Sequence, residues 1–280
     1  MRLSYRLVNV FTQNGGRLTG NPLCVFEDGS AVDTAQMQAL ALQFNLSETT
    51  FVTQSDKADA RVRIFTPSYE MPFAGHPTLG TAHAVRSLKK TSDSVALELN
   101  VGVIPVVAQG DQWELRANKA STRAPKVASG EIAAALGLKD SDIGGQPLWV
   151  NSGSEQLIVP LASEGAVRKV KISFEALSRV TQDGPRAQAY VFAPTGNDTL
   201  LSRFFFSKGE SLLEDPATGS ATANLGGWFL ANGSTLPLTK TISQGEMAGR
   251  PSTLRLRIDS ERNVFVAGEV VELGRGYVEV

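Results

Sequence analysis

The sequence Arg63-Ile64-Phe65-Thr66 leads through a polar loop into Ala74-Gly75-His76-Pro77-Thr78-Leu79-Gly80-Thr81-Ala82. The alternating residues predict a β-strand, and the small residues after the glycine predict a helix. The second half of the chain has a similar arrangement, Arg203-Phe204-Phe205-Phe206-Ser207 followed by Ala217-Thr218-Gly219-Ser220-Ala221-Thr222-Ala223. We interpret the two stretches as an internal repeat with a longer loop in the second copy. Strand–loop–helix units are common, so chance similarity is the alternative.

The two helix starts are candidate anion sites. Proline favours the first helical position, so Pro77 predicts that His76 is an N-cap, and Ser220 would be a hydroxyl cap of the second helix. Gly75 and Gly219 would let a ligand approach the backbone closely. Because a helix start presents N–H groups at the positive end of the helix dipole, each start suits a carboxylate. The alternative is ordinary helix capping with no ligand.

The composition limits the function classes. A formal net charge of −1 provides no broad positive field, so nucleic acid is not an expected partner. Cys24 is the only cysteine and the chain has two histidines, which excludes an internal disulfide and disfavours a metal site. The polar N-terminal residues lack the pattern of a signal peptide, and no apolar run approaches the roughly 18 residues of a membrane span. We therefore expect a cytoplasmic protein.

Both halves of the chain alternate predicted strands and helices. In the first half we expect strands at 7–11, 23–26, 49–53 and 60–66, helices after an N-cap at Asp33 and at about 77–89, and a hairpin of 95–109 with 112–117 around Gly110-Asp111. In the second half we expect a linker at 121–125, helices at 131–138 and about 220–231, strands at 148–150, 156–159, 190–192 and 203–206, and a β-rich tail over 238–280.

Two acidic residues are candidates for proton transfer. Glu48 lies between a predicted helix and a predicted strand, among apolar neighbours that would raise the pKa of its carboxyl and let it act as acid and base in turn. Asp215 precedes the second helix start. From these residues alone, an exposed glutamate in a turn and an ordinary loop aspartate are the alternatives, and His76 is open between a cap, a ligand donor and a proton carrier.

Several motifs, taken in order along the whole chain, resemble the PhzF-like (phenazine biosynthesis) family. They are Gly20-Asn21-Pro22, Asn45-Leu46-Ser47-Glu48-Thr49-Thr50-Phe51, Phe73-Ala74-Gly75-His76-Pro77-Thr78-Leu79-Gly80-Thr81, Glu214-Asp215-Pro216-Ala217-Thr218-Gly219-Ser220-Ala221, Gln244-Gly245 with Gly249-Arg250-Pro251-Ser252, and Gly274-Arg275-Gly276.

The resemblance implies an α+β fold similar to that of diaminopimelate epimerase. Two pseudo-symmetric halves would each wrap a curved, mostly antiparallel sheet around a central helix. The halves would comprise residues 1–118 with 268–280, and residues 119–267, with the active-site cleft between them.

The resemblance also implies an activity. The family's best-known member isomerises trans-2,3-dihydro-3-hydroxyanthranilate without a metal or an organic cofactor, and family members are commonly homodimers. By position, Glu48 would move the proton, with His76 and Asp215 as further catalytic residues. The substrate, a small anion, would be bound by Ser47, Gly75, Gly219 and Ser220.

The chain differs in one respect from the epimerases whose fold the resemblance implies. Where those enzymes carry a cysteine before each glycine, this chain has Ala74 and Thr218. A two-thiol racemase mechanism is thereby excluded. The hypotheses that remain are a proton-shifting isomerase, a racemase or epimerase that uses oxygen bases, and a non-catalytic small-molecule binding protein. The sequence contains no nucleotide-binding glycine motif.

Overall fold

The computed structural model describes residues 1–280 and shows a strand-rich α/β protein. The chain divides into two compact units, Met1–Arg116 with Ala267–Val280, and Ala117–Val266. No helix combines the length and the apolar character that a membrane crossing requires. The helices are α1 (Thr34–Phe44), α2 (Gly75–Lys89), α3 (Ser129–Ala135), α4 (Glu164–Lys169), α5 (Phe174–Val180) and α6 (Gly219–Ala231).

The strands occur in the following order. They are β1 (Arg2–Val10), β2 (Asn21–Phe26), β3 (Glu48–Thr53), β4 (Ala60–Phe65), β5 (Glu70–Met71), β6 (Ser94–Leu99), β7 (Gly102–Gln109), β8 (Gln112–Arg116), β9 (Ser121–Arg123), β10 (Leu148–Asn151), β11 (Glu155–Pro160), β12 (Gln188–Pro194), β13 (Thr199–Lys208), β14 (Ser211–Asp215), β15 (Leu238–Gln244), β16 (Ser252–Ile258) and β17 (Val264–Glu279).

In the first unit, most neighbouring strands are antiparallel. Strand β1 pairs antiparallel with β2 and with β17, and β2 runs parallel to β3 after the α1 crossover. The hairpin β4–β5 leads into α2, which returns the chain to β6, parallel to β4. An antiparallel meander of β6, β7 and β8 follows.

Helix α2 packs on strands β1, β2, β3 and β6, and every residue from Gly75 to Ala82 is buried. The closest approach is at Gly80. A Cβ atom there would lie 2.6 Å from Leu23 Cδ2 and 2.9 Å from Val10 Cγ2. A glycine at this position therefore lets the helix lie directly on the sheet.

The second unit is also mainly antiparallel. Strand β10 pairs with β9 and β11, β11 runs parallel to β12, and β12 pairs antiparallel with β13. The hairpin β13–β14 leads into α6, after which β15 runs parallel to β13 and antiparallel to β16. Helix α6 packs on β10, β11 and β16, and its residues Ala221 to Gly227 are buried.

Each unit has its own apolar core. In the first unit the ring of Phe26 stacks on that of Phe51 at 4.7 Å, and Phe65 meets Phe51 edge-on. In the second unit the buried residues Trp149, Leu157 and Val191 pack together with helices α3 to α5.

Most predicted elements are confirmed to within a few residues. The N-cap at Asp33 is confirmed, with its side chain accepting from the backbone of Gln36. The predicted linker at 121–125 is wrong in part, because 121–123 form β9 and pair with β10. The segment 95–109 contains two strands joined by a turn. Helices α4 and α5 were not predicted from the sequence.

Candidate active site

Helix α2 begins at Gly75, two residues earlier than the sequence predicted. Its N-cap is Ala74, whose side chain makes no capping hydrogen bond. The prediction of His76 as N-cap is therefore wrong, and Pro77 stands at the third helical position. A proline is tolerated there because none of the first four N–H groups has a partner within the helix. The first turn itself contains no acidic residue.

Glu48 and His76 lie together in the first unit. The distance between Glu48 Oε2 and His76 Nδ1 is 3.1 Å, and their side chains are 16% and 6% exposed. Glu48 is the first residue of β3, in register with Leu23 of the parallel strand β2. The sheet therefore fixes the carboxylate, and the helix start fixes the imidazole.

The imidazole of His76 is held in its neutral form. Burial lowers its pKa to about 3, although a hydrogen bond with the backbone of Pro22 favours the protonated form. The Nε2 atom is buried without a hydrogen-bond partner. Because Nε2 has no partner and Pro22 offers only a carbonyl oxygen, Nδ1 is the nitrogen that carries the proton, and it donates to the Pro22 carbonyl and not to Glu48.

The other predicted residues of the first unit lie close by in sequence. Ser47 immediately precedes β3 and is partly exposed. Gly75 is buried at the first position of α2.

Helix α6 begins at Gly219 with Thr218 as N-cap, and again no side chain caps the helix. The prediction of Ser220 as the cap is wrong, because Ser220 is the second helical residue. Its Oγ atom instead lies 3.0 Å from Nε2 of Gln156 on strand β11. The helix pattern alone could not show this, since the partner comes from a strand remote in sequence.

Asp215 lies at the end of β14 and is bonded to the helix N-cap. Its Oδ2 atom accepts a hydrogen bond from Thr218 Oγ1 at 2.5 Å. The side chain of Gln244 spans the same loop, since Nε2 donates to the Asp215 carbonyl and to Thr218 Oγ1, both at 2.9 Å. These bonds hold the carboxylate at the start of α6.

Gly245 lets the turn after β15 approach the loop that contains Pro216. It has a φ of +78°, and a Cβ atom there would lie 2.4 Å from the Pro216 carbonyl oxygen. Only glycine combines this backbone conformation with so close an approach. The loop at Pro216 therefore lies in direct contact with the turn after β15.

The sequence motifs include Thr218 and Gln244, but Gln156 and Asn224 of the second unit were not predicted as parts of this region. A signal for these two exists. Gln156 opens an apolar strand run and Asn224 interrupts a helix of small apolar residues, and both are buried. Polar side chains in such places require internal partners.

The two groups of candidate residues can do acid–base chemistry. One unit supplies Glu48 and a neutral His76, and the other supplies Asp215 and the hydroxyl of Ser220. Each unit adds a helix start with uncapped N–H groups. The structure contains no group of three or more His, Cys, Asp or Glu side chains that could hold a metal ion.

The chain is similar to proteins of a known family. A sequence profile described as phenazine biosynthesis-like protein (PhzC-PhzF) matches residues 8–276. The chain belongs to the phenazine biosynthesis-like family. An uncharacterized isomerase of Pasteurella multocida is 37% identical over 281 residues, covering 98% of this chain and 93% of that protein. The trans-2,3-dihydro-3-hydroxyanthranilate isomerase of Pseudomonas aeruginosa is 35% identical over 270 residues, covering 94% of this chain and 93% of that enzyme.

A solved structure of a PhzF-family protein from Bacillus anthracis matches the fold. The TM-score is 0.88 with 23% sequence identity, and the match covers 100% of both chains. The protein is thus an isomerase of the phenazine biosynthesis-like family, as its named relatives are.

Proposed function

We propose that this protein is a cofactor-independent isomerase that moves a proton between two carbons of a small carboxylate substrate similar to trans-2,3-dihydro-3-hydroxyanthranilate. Glu48 is the base that takes the proton and the acid that returns it. The observation that carries the proposal is the 3.1 Å approach of Glu48 to a buried imidazole that stays neutral. A carboxylate beside a neutral ring has no adjacent positive charge to weaken it as a base, so it can take a proton from a substrate carbon and return it.

The reaction requires no net oxidation. A C–H bond of the substrate breaks and its proton moves to Glu48, while the electron pair shifts through the adjacent double bond. The proton then forms a new C–H bond at the carbon to which the electron pair has moved. His76 stays neutral beside the Glu48 carboxylate, and its Nδ1 proton is donated to the Pro22 carbonyl.

The anionic group of the substrate is bound by backbone donors. The uncapped N–H groups after Gly75 and Gly219 suit a carboxylate, because each lies at the positive end of a helix dipole. We propose that Ser47 and Ser220 add hydroxyl contacts, and that Asp215 assists the proton placement.

We further propose that the two units are duplicated halves that serve one substrate. Both have a parallel strand pair, then a hairpin, then a buried helix, then a return strand parallel to the first strand of the hairpin. Both hairpins also carry an Arg–Glu ion pair, Arg63 with Glu70 and Arg203 with Glu214. The family resemblance adds the proposal that the enzyme is a cytoplasmic homodimer.

The test is turnover of trans-2,3-dihydro-3-hydroxyanthranilate by Glu48→Gln, which keeps the size of the side chain and removes the base. We expect kcat to fall by about 10²- to 10⁴-fold, the usual contribution of a positioned acid–base group. Glu98→Gln is the matched control, because the Glu98 side chain is also 16% exposed but pairs with Arg61. Wild-type turnover by Glu48→Gln would refute the assigned role.

Turnover in heavy water distinguishes a proton-shifting isomerase from a racemase or epimerase and from a binding protein. A proton shift incorporates solvent deuterium at the carbon that receives the proton, whereas a racemase or epimerase exchanges the hydrogen at one stereocentre with inversion. A binding protein gives no exchange at all.

A further inference from the structure

A chain of four hydrogen-bonded polar side chains, three of them buried, lies at the start of α6. Ser220 Oγ contacts Gln156 Nε2 at 3.0 Å, and Gln156 Oε1 contacts Asn224 Nδ2 at 2.8 Å. Asn224 Oδ1 contacts the backbone nitrogen and the hydroxyl of Ser152 at 2.8 Å and 2.7 Å. Gln156 is 2% exposed and Asn224 is fully buried, so water cannot replace these bonds.

Two backbone groups fix the direction of every bond in this chain. The nitrogen of Ser152 can only donate, so the Asn224 atom facing it must be the carbonyl oxygen. The carbonyl oxygen of Ser154 can only accept, and it lies 2.8 Å from the other terminal atom of Asn224, which must be Nδ2. The orientation of this amide therefore needs no assumption about hydrogen positions.

The orientation of the Asn224 amide also determines the orientation of the Gln156 amide. Because Asn224 Nδ2 donates, the Gln156 atom that faces it must be the acceptor Oε1. The remaining atom, Nε2, is then the one that faces Ser220, and it donates to the hydroxyl oxygen. A hydroxyl that already accepts from an amide keeps its own proton for another acceptor.

No acceptor within the chain takes that proton. The bond with Gln156 is the only side-chain hydrogen bond of Ser220. Ser220 is partly exposed, at the second position of an uncapped helix. Its hydroxyl is therefore a donor directed away from the buried amides.

We propose that Gln156 and Asn224 are positioning residues that commit the Ser220 hydroxyl to donate a hydrogen bond to the substrate. The ligand group must then be a hydrogen-bond acceptor, a carboxylate or carbonyl oxygen, and a ligand that offers only a donor at this point is rejected. The inference rests on the proposed role of Ser220 in binding the substrate, and it adds two residues that do not touch the substrate.

The first test reads the hydrogen bonds without any ligand. In the wild-type protein, the side-chain amide of Gln156 should give slowly exchanging, well-separated ¹H–¹⁵N resonances. Ser220→Ala should shift one Gln156 Nε2 proton and leave the Asn224 amide nearly unchanged. A Gln156 amide that exchanges as fast as an exposed one would overturn the proposal.

The second test reverses the polarity with Gln156→Glu. An ionised carboxylate at this place accepts hydrogen bonds on both sides, so the Ser220 proton turns inward and is lost to the ligand. A protonated carboxyl has the same donor and acceptor pattern as the amide, and burial favours that neutral form. The defect should therefore appear at high pH and recover as the pH falls.

The measurement is the dissociation constant for anthranilate, a planar aromatic carboxylate, at pH 8 and at pH 5.5. We expect Ser220→Ala and Gln156→Glu each to weaken binding by about tenfold or more at pH 8, as expected for a lost hydrogen bond to a charged group. Relative to the wild type at each pH, Gln156→Glu should recover at pH 5.5, and Ser220→Ala should not. The double variant should bind no more weakly than Ser220→Ala.

Gln188→Glu is the matched control. Gln188 is 6% exposed and donates to the Glu155 carbonyl, so it receives the same chemical change without a bond to Ser220. It should bind anthranilate like the wild type at both pH values. A Gln156→Glu defect that is equal at both pH values, or that adds to the Ser220→Ala defect, would overturn the inference.

Other outcomes separate this inference from the proposed function. If Ser220→Ala binds anthranilate like the wild type, or if the wild type does not bind it, the assigned ligand contact is wrong and the inference falls with it. The catalytic role of Glu48 is tested independently by Glu48→Gln turnover, so its failure would be seen separately.

Discussion

Removing Arg203 from its ion pair with Glu214 should cost more stability than breaking any exposed ion pair in the chain. Arg203 donates to both carboxylate oxygens of Glu214, at 3.0 Å and 2.7 Å, and the two side chains are 10% and 16% exposed. Its Nη1 atom also donates to the carbonyls of Val170 at 2.9 Å and Val167 at 3.3 Å. The guanidinium thus joins the end of α4 to the strand that ends at Asp215.

Arg203→Met removes all four bonds and leaves the Glu214 charge buried. Breaking one side of a buried pair costs about 3–5 kcal/mol, and the two released carbonyls place this variant at the upper end of that range. The loss is a large share of the roughly 5–15 kcal/mol by which a domain is stable. Urea unfolding followed by circular dichroism measures the free energy of unfolding directly.

Two controls bracket the expected value. Arg168→Met removes two ion pairs, with Glu164 and with Glu246, whose side chains are exposed, and it should cost far less stability because solvent screens these charges. Arg203→Met with Glu214→Leu removes both charges and should recover part of the loss, because no unpaired charge remains. A loss for Arg203→Met no larger than that for Arg168→Met would refute the reasoning.

Two further predictions concern the first unit. The pKa of His76 falls from about 6.5 in the unfolded chain to about 3 in the fold, so the unfolded state binds the extra proton between these values and stability drops as the pH falls from 7 towards 3. Urea unfolding should show about 2 kcal/mol less stability at pH 5 from this group, and His76→Gln should lack that part of the slope. Gly80→Ala should destabilise by about 1–3 kcal/mol despite the better helix propensity of alanine, because its Cβ would lie 2.6 Å from Leu23 Cδ2. Thermal unfolding measures the loss of stability. Gly209→Ala is the comparison for backbone strain alone, because a Cβ there meets nothing within 4 Å although φ is +60°. An unchanged melting temperature for Gly80→Ala would contradict the packing argument.

The predictions of the two helix N-caps were wrong for the same reason. A proline or serine near a glycine predicts a cap from local preference, and the sequence therefore assigned His76 and Ser220 to that position. In the structure both helices begin earlier, and both side chains turn to partners from other elements, Glu48 of β3 and Gln156 of β11. Those contacts replace the capping bond that local preference favoured.

The sequence by itself determined the elements and the chemistry available to them. Alternation, helical spacing and glycine turns located most strands and helices, because these preferences act between residues that are close along the chain. Only the tertiary structure decided which polar atoms meet. The approach of Glu48 to His76, the neutral state of that imidazole and the direction of the Ser220 proton all depend on burial and on partners from distant segments. Such partners are chosen by the packing of the sheet and helix together, which no local pattern encodes.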